Sequence, residues 1–254
     1  MQQELSIVII CKNEEATIAR TLASVKALSH DIVVYDSGSS DKTLQLIHEA
    51  GITPIEGDWF GFGPTRRHAT TLAKNDWILC VDADEWLEES LQQEIRQLTP
   101  TPGTLYRVRL KNHLGQKPIN WGGWGTDWRL RLFNRTDTNW SEAQIHERVV
   151  LPSRCKVQSL QGRINHRTAK SIEDYKFKMS RYAVLTARNY FAQKKNATWL
   201  KRYASPFYAF FKNYILKLGF LDGAAGWQVS KQIAVYTFQK YQHLHDLYTA
   251  QNTG

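Results

Sequence analysis

The 254-residue chain has no stretch of the roughly 18 uncharged apolar residues that a membrane-crossing helix needs, so no spanning segment is expected. Its start, MQQELSIVII, lacks the basic segment, apolar run and small-residue cleavage site of a secretory leader, which predicts a cytoplasmic protein. Cysteine is scarce: Cys11, Cys80 and Cys155 lie far apart, without paired metal-ligand spacing, which argues against a disulfide framework and a zinc knuckle. Cys11 and Cys80 adjoin apolar runs and read as buried structural thiols of a reducing compartment. Internal repeats and low-complexity tracts are absent. Acidic residues are missing from 175 to 221, where ten Lys or Arg fall, so the net charge of +9 is local and points that segment toward an anionic partner.

What is present is a pattern of alternating strands and helices. LSIVII (5 to 10) and DIVVY (31 to 35) are apolar and β-branched, as buried strands require. Ile18, Leu22 and Val25 share one helical face, with Asn13 as the expected cap; Ser40 is the expected cap of a helix carrying Leu44 and Ile47 that stops at Gly51. ITPIE (52 to 56) predicts a short third strand, 67 to 74 a helix, and WILCV (77 to 81) a fourth strand. The expected fold is therefore α/β, a parallel sheet covered on both faces, with ligands at the carboxyl ends of the strands. Polar clusters follow three of those strands directly, and all three are expected to face one cleft. LYRVRL (105 to 110) and WRLRLFNR (128 to 135) alternate and predict strands with one polar face, separated by the glycine- and tryptophan-rich loop NWGGWGTDW (120 to 128). Beyond Ser171 the pattern is helical to about 195, again from about 199 with Pro206 kinking or restarting the helix, and from about 225 to 247. The expected division is a catalytic domain over 1–170 and a helical extension over 171–254.

ILCVDADEW (78 to 86) ends a greasy strand in three acids. In an extended strand Asp82 and Asp84 face the same space about 7 Å apart and raise one another's pKa unless a positive charge intervenes. A divalent cation, Mg²⁺ or Mn²⁺, supplies that charge, with Asp84 as direct ligand and Asp82 on a sugar hydroxyl or a metal-bound water. On this reading the chain itself leaves the acids uncompensated, and Glu85 has no role beyond a helix start. D-A-D-E also suits the start of a helix outright, and a glycosidase carboxylate pair is a third reading, disfavoured because both acids come from one strand end. YDSGSSDKT (35 to 43) puts Asp36 before a Ser/Gly turn, where its carboxylate can accept the imide N–H of uracil; the same residues also make an ordinary strand-turn-helix. GFGPTRRH (61 to 68) offers Arg66 for a base or diphosphate, or as a solvated surface arginine.

IVIICKNEEATI, VVYDSGSSDKT, GFGPTRRHA and ILCVDADEW, in this order, resemble family 2 glycosyltransferases of the GT-A fold, in particular the bacterial branch that adds glucose to the heptose inner core of lipopolysaccharide. The IHE and LGFLDGAAG segments extend the resemblance over most of the chain. It implies a GT-A (Rossmann-like) mixed, mainly parallel sheet flanked by helices with a C-terminal helical extension, a UDP-sugar donor, Mg²⁺ or Mn²⁺, and inverting transfer. Carried onto this sequence, Asn13 and Glu14 meet the nucleoside, Asp36 the uracil, Arg66 the base or diphosphate, Asp82 the ribose and Asp84 the metal. Many relatives carry a second acid after the one matching Asp36; here it is Ser37. Inversion needs a base on the acceptor side. In AQIHERV (143 to 149), Glu147 beside His146 is the expected base, with Asp127 as runner-up; a salt-bridged surface glutamate is the alternative. His166, in INHRT, is a candidate for the metal or diphosphate site, or a structural histidine.

The basic segment from 175 to 221 is also rich in Tyr, Phe and Trp. That combination predicts a peripheral hold on an anionic inner-membrane surface, suited to a lipopolysaccharide acceptor. A helical bundle with solvated cations is the plain alternative. The same composition describes a single-stranded nucleic-acid groove, but no nucleic-acid motif accompanies it. A nucleotidyltransferase is disfavoured because IICKNEE is no glycine-rich phosphate loop. Another UDP-sugar, or another lipid-linked or polysaccharide acceptor, stays open.

Overall fold

A computed structural model describes residues 4–143 and 147–252; His146 lies outside the described residues. The chain forms two compact units, Met1–Leu110 with Trp128–His166, and Lys111–Asp127 with Arg167–Gly254. The second unit thus takes in the segment before residue 128 as well as the helices after 170.

In the first unit, β1 (Leu5–Cys11) is buried along its whole length. It is flanked by β2 (Asp31–Asp36) and β4 (Trp77–Cys80), both parallel to it, and β3 (Ile55–Glu56) extends the parallel half beyond β2. β5 (Glu85–Leu87), β6 (Thr104–Leu114), β8 (Trp128–Asn134) and β9 (Lys156–Ala169) complete the sheet in the order β3-β2-β1-β4-β8-β6-β9-β5, the last residues of β6, from Lys111, and of β9, from Arg167, being counted in the second unit together with β7 (Lys117–Ile119). β4 to β8 and β6 to β8 are antiparallel, so the sheet is mixed. The alternation of β1 serves both faces: Leu5, Ile7 and Ile9 meet α1 (Ile18–Val25), α2 (Thr43–Glu49) and α4 (Glu89–Gln97) in one core, while Val8 and Ile10 join Ala69 of α3 (Phe62–Thr71), Phe133 and Trp140 in the other.

Local readings differ in instructive ways. Gly51 ends α2 with φ +74°, as its position required. Asn13 does not cap α1, whose first flanking residue is Thr17; it sits at φ +57°, a backbone region asparagine tolerates. α2 starts after Lys42, and Asp41, not Ser40, accepts the Thr43 amide at 2.9 Å. α3 begins five residues earlier than expected, at Phe62. β5, β7 and β9 carry no strong period-2 signal and are made by pairing, not propensity.

In the second unit, Ser171 caps α5 (Ile172–Ala192) by accepting the Asp174 amide, α6 (Trp199–Phe211) runs through Pro206 into a π-helical turn at Lys212–Leu216, and α7 (Gly223–Asn252) follows. β7 (Lys117–Ile119) pairs with Asn112–Leu114. The Gly/Trp-rich loop is pinned: Asp222 accepts the amides of Asn120 and Trp121 at 3.1 and 2.9 Å, and Asn213 Oδ1 accepts that of Gly123 at 2.6 Å. Among the described residues no helix is long and apolar enough to cross a membrane.

The three cysteines are free, and only Cys155 is partly exposed. Burial pushes the Cys80 thiol up to about 11, and burial together with the Asp36 carboxylate pushes Cys11 higher. Since the thiolate is the nucleophile, alkylation at pH 8 is expected to mark Cys155 at least about tenfold faster than the other two. Peptide mass spectrometry after a timed maleimide pulse checks this; early label on Cys80 contradicts it.

Candidate active site

β4 stops at Cys80, and the next residues turn instead of extending: the Glu85 amide donates to the Asp82 carbonyl at 2.9 Å. Asp82 and Asp84 therefore do not share one face as a straight strand would require. Glu85 opens β5, not a helix, and pairs in register with His166 of β9. Its carboxylate is fully buried, accepting the Asp82 amide at 3.1 Å and an ion pair from Arg131.

Arg131 reaches this position through an irregularity. The register of β6 on β8 passes from Tyr106↔Leu132 to Arg107↔Leu130, so Arg131 is an extra residue without its own partner in β6. Such a bulge bends the strand and re-aims a side chain. Arg131 Nη2 lies 3.0 Å from Asp82 Oδ2, and Arg66 Nη1 lies 2.6 Å from Asp82 Oδ1. Arg66 also donates from Nε to Glu147 Oε1 at 3.2 Å and stands 4.9 Å over the Trp140 ring. The acids are thus compensated by the chain, contrary to the expectation of bare negative charge: buried charges persist only when paired.

Asp82 feels an upward push from burial, outweighed by Arg131 and Arg66, which hold it well below the usual carboxylate range. Glu85 is raised, because burial dominates and Asp82 adds to it against the pull of Arg131. The linkage signs are opposite. Asp82 stabilises the fold above its unfolded pKa of about 3.9 and loses that contribution as pH falls toward its depressed value; Glu85 works against folding once pH rises past about 4.3. Asp82→Asn is therefore expected to lower the urea midpoint more at pH 7 than at pH 3. Equal losses at both pH values would show that the pKa of Asp82 is not depressed in the folded state.

Asp84 meets a different partner, with Oδ2 3.3 Å from His166 Nε2, and both side chains are partly open. The His166 pKa is pushed up to about 9: burial lowers it, but the hydrogen bond and charge of Asp84 and the nearby Glu85 and Asp82 raise it further. Among the described residues no group of three or more His, Cys, Asp and Glu is placed to hold a metal ion. Once the imidazole gives up the proton that Asp84 favours, this carboxylate oxygen and imidazole nitrogen could hold a divalent ion such as Mn²⁺ as a two-point anchor. Asp82, engaged by two arginines, is not available as a third ligand.

A cavity of about 350 Å³ is lined by Arg66, Asp82, Glu85, Arg131, Glu147 and His166, with Trp128 and Trp140 among the walls. Gly63 lets α3 lie against the chain leading to Glu147: a Cβ there would stand 2.2 Å from the Ser141 carbonyl oxygen. Asn13, Glu14 and Asp36 do not line this cavity; they stand at the ends of β1 and β2, on the same carboxyl edge of the parallel strands as Asp82 after β4. Asn13 Oδ1 accepts the Ser40 amide at 2.8 Å, the Glu14 amide donates to Thr43 Oγ1 at 2.7 Å, and the buried Asp36 Oδ1 accepts the amides of Gly38 and Ser39 at 2.9 and 2.7 Å. Asp127 follows a 3₁₀ turn in the second unit. Arg131 and the buried role of Glu85 are not among the sequence-based site expectations; the one available signal is the Arg129/Arg131 alternation in WRLRLFNR, which by itself predicts only a strand with one polar face.

A family model described as "Glycosyl transferase family 2" matches residues 6–150. A glycosyltransferase of Rickettsia bellii is 27% identical over 260 residues, covering 97% of this chain and 88% of that one. A lipopolysaccharide core biosynthesis glycosyltransferase of Rhizobium meliloti, LpsC, is 26% identical over 246 residues, covering 92% and 89%. Among solved structures, glucosyl-3-phosphoglycerate synthase from Mycobacterium tuberculosis, in complex with Mg²⁺ and UDP, aligns over 43% of each chain at 22% identity with a TM-score of 0.36. With its mixed sheet and more than half its length matched, the chain belongs to glycosyl transferase family 2.

Proposed function

We propose that the protein transfers glucose from UDP-glucose to a heptose hydroxyl of the lipopolysaccharide inner core, with inversion, at the cytoplasmic face of the inner membrane. The observation that carries the reading is Glu147: a carboxylate oriented by Arg66 in the same cavity as the Asp82 cluster. In the transfer step the acceptor hydroxyl gives its proton to Glu147, its oxygen bonds to the anomeric carbon, and the bond from that carbon to UDP breaks on the opposite face, UDP leaving with the electron pair. Asp82, fixed by Arg66 and Arg131, faces the donor ribose. Asp36, already bonded by its own loop, acts by holding the backbone amides of Gly38 and Ser39 in the loop that meets the base. Asp84 and His166 would hold the divalent ion, which when bound offsets the charge of the diphosphate leaving group. The lipopolysaccharide acceptor is supported by the similarity to LpsC.

Turnover of a UDP-sugar panel on a heptose acceptor tests the donor, with UDP-glucose expected to lead by at least about tenfold. A different leading sugar removes glucose and leaves the reaction class. Asp84→Ala is expected to weaken Mn²⁺ binding at least about tenfold by calorimetry. Unchanged binding would assign the ion elsewhere.

A further inference from the structure

α6 carries a row of rings turned to water. Trp199, Tyr203, Phe207 and Phe211 follow at four-residue spacing, which places them on one side of a helix. They are 73%, 37%, 78% and 49% exposed, and Leu200 and Tyr208 widen the face at 64% and 59%. Pro206, by contrast, is buried, so the helix is seated by its other side. Scattered exposed apolar residues are ordinary; a contiguous aromatic row marks a surface that something covers.

The charge pattern says what covers it. Lys201 and Lys212 are exposed beside the row, with Lys212 Nζ 5.9 Å from the Tyr208 ring, and no acid occurs from 175 to 221. A second copy of this chain would set these cations against its own. Thirteen residues of helix rise only about 20 Å, too short to span a bilayer core but ample to lie along its surface. Trp and Tyr favour the headgroup level, and flanking lysines gain from lipid phosphates.

We propose that α6 is an interfacial docking helix that seats its aromatic row in an anionic lipid bilayer, with Lys201 and Lys212 on the headgroup phosphates. This identifies the contacting element for the membrane-side acceptor proposed above, and it stands or falls separately from the sugar chemistry.

The test is co-sedimentation of the full chain with vesicles of phosphatidylethanolamine and phosphatidylglycerol (3:1), against phosphatidylcholine vesicles. Wild type is expected to bind the anionic vesicles at least about tenfold more tightly, and more weakly at 0.5 M salt. Phe207→Ser with Phe211→Ser is expected to lose at least about tenfold of that binding, with unchanged circular dichroism and unchanged transfer to a soluble acceptor fragment. Lys201→Glu with Lys212→Glu should abolish the preference for anionic lipid. Wild-type binding by the phenylalanine variant overturns the proposal. So does binding of a single-stranded oligonucleotide at the same salt without vesicle binding, or a dimer that the phenylalanine variant dissociates without vesicle binding.

Discussion

Glu147→Gln is expected to lower sugar transfer by about 10²- to 10⁴-fold, the usual contribution of a positioned general base. The substitution is nearly isosteric, and the amide oxygen can still accept from Arg66 Nε, now 3.2 Å from Glu147 Oε1, so the cavity wall should keep its shape. What disappears is the capacity to take the acceptor proton. Donor affinity, measured by calorimetry with UDP-glucose, should therefore stay within about twofold while turnover collapses, the pattern of an interaction made only in the transition state. Asp127→Asn is the control. Full activity in Glu147→Gln together with collapse in Asp127→Asn would move the base to the second unit.

Arg131→Met is expected to destabilise the first unit by about 3–5 kcal/mol, the cost of removing one partner from a buried ion pair. Arg131 touches both Asp82 and Glu85, and Glu85 has no exposure to water, so its carboxylate would be left in the core with only the Asp82 amide. At roughly 2–4 °C per kcal/mol for a unit of this size, the melting temperature should fall by about 6–20 °C. Arg131→Met with Glu85→Met removes both charges and should recover a large part of the loss, because burying an apolar pair leaves fewer unpaired groups. Differential scanning calorimetry of the single and double variants decides it. A single variant that melts with the wild type would mean that Glu85 is neutral in the folded state and needs no counter-charge.

The parallel half of the sheet was legible because its evidence is local. β1, β2 and β4 are buried on both faces, and such strands must be continuous apolar runs bounded by polar turns. Gly51 at positive φ was legible for the same reason: it satisfies a demand set within a few residues. Caps that depend on loop geometry were not, since the Asn13 side chain could serve its own helix or a loop across the sheet, and the second won through the Ser40 amide. Pro206 was also ambiguous in sequence; inside α6 its missing donor and ring are accommodated without ending the helix.

The sequence by itself determined the family, the strand ends that carry Asp36 and Asp82, and the acid-free aromatic segment within which α6 forms. Those follow from periodicity, composition and the order of motifs, which survive any packing. Only the tertiary structure decided how the charges are used. A one-residue bulge in β8 aims Arg131 at Asp82 and Glu85, the register of β5 on β9 sets His166 beside Asp84, and the close approach at Gly63 accompanies Arg66 reaching Glu147. Each joins residues separated by dozens of positions, and electrostatic energy depends on distance and burial, not on spacing along the chain. ILCVDADEW therefore announced a site, while the division of its acids into a clamped Asp82, a buried Glu85 and an open Asp84 waited for the partners that folding brings.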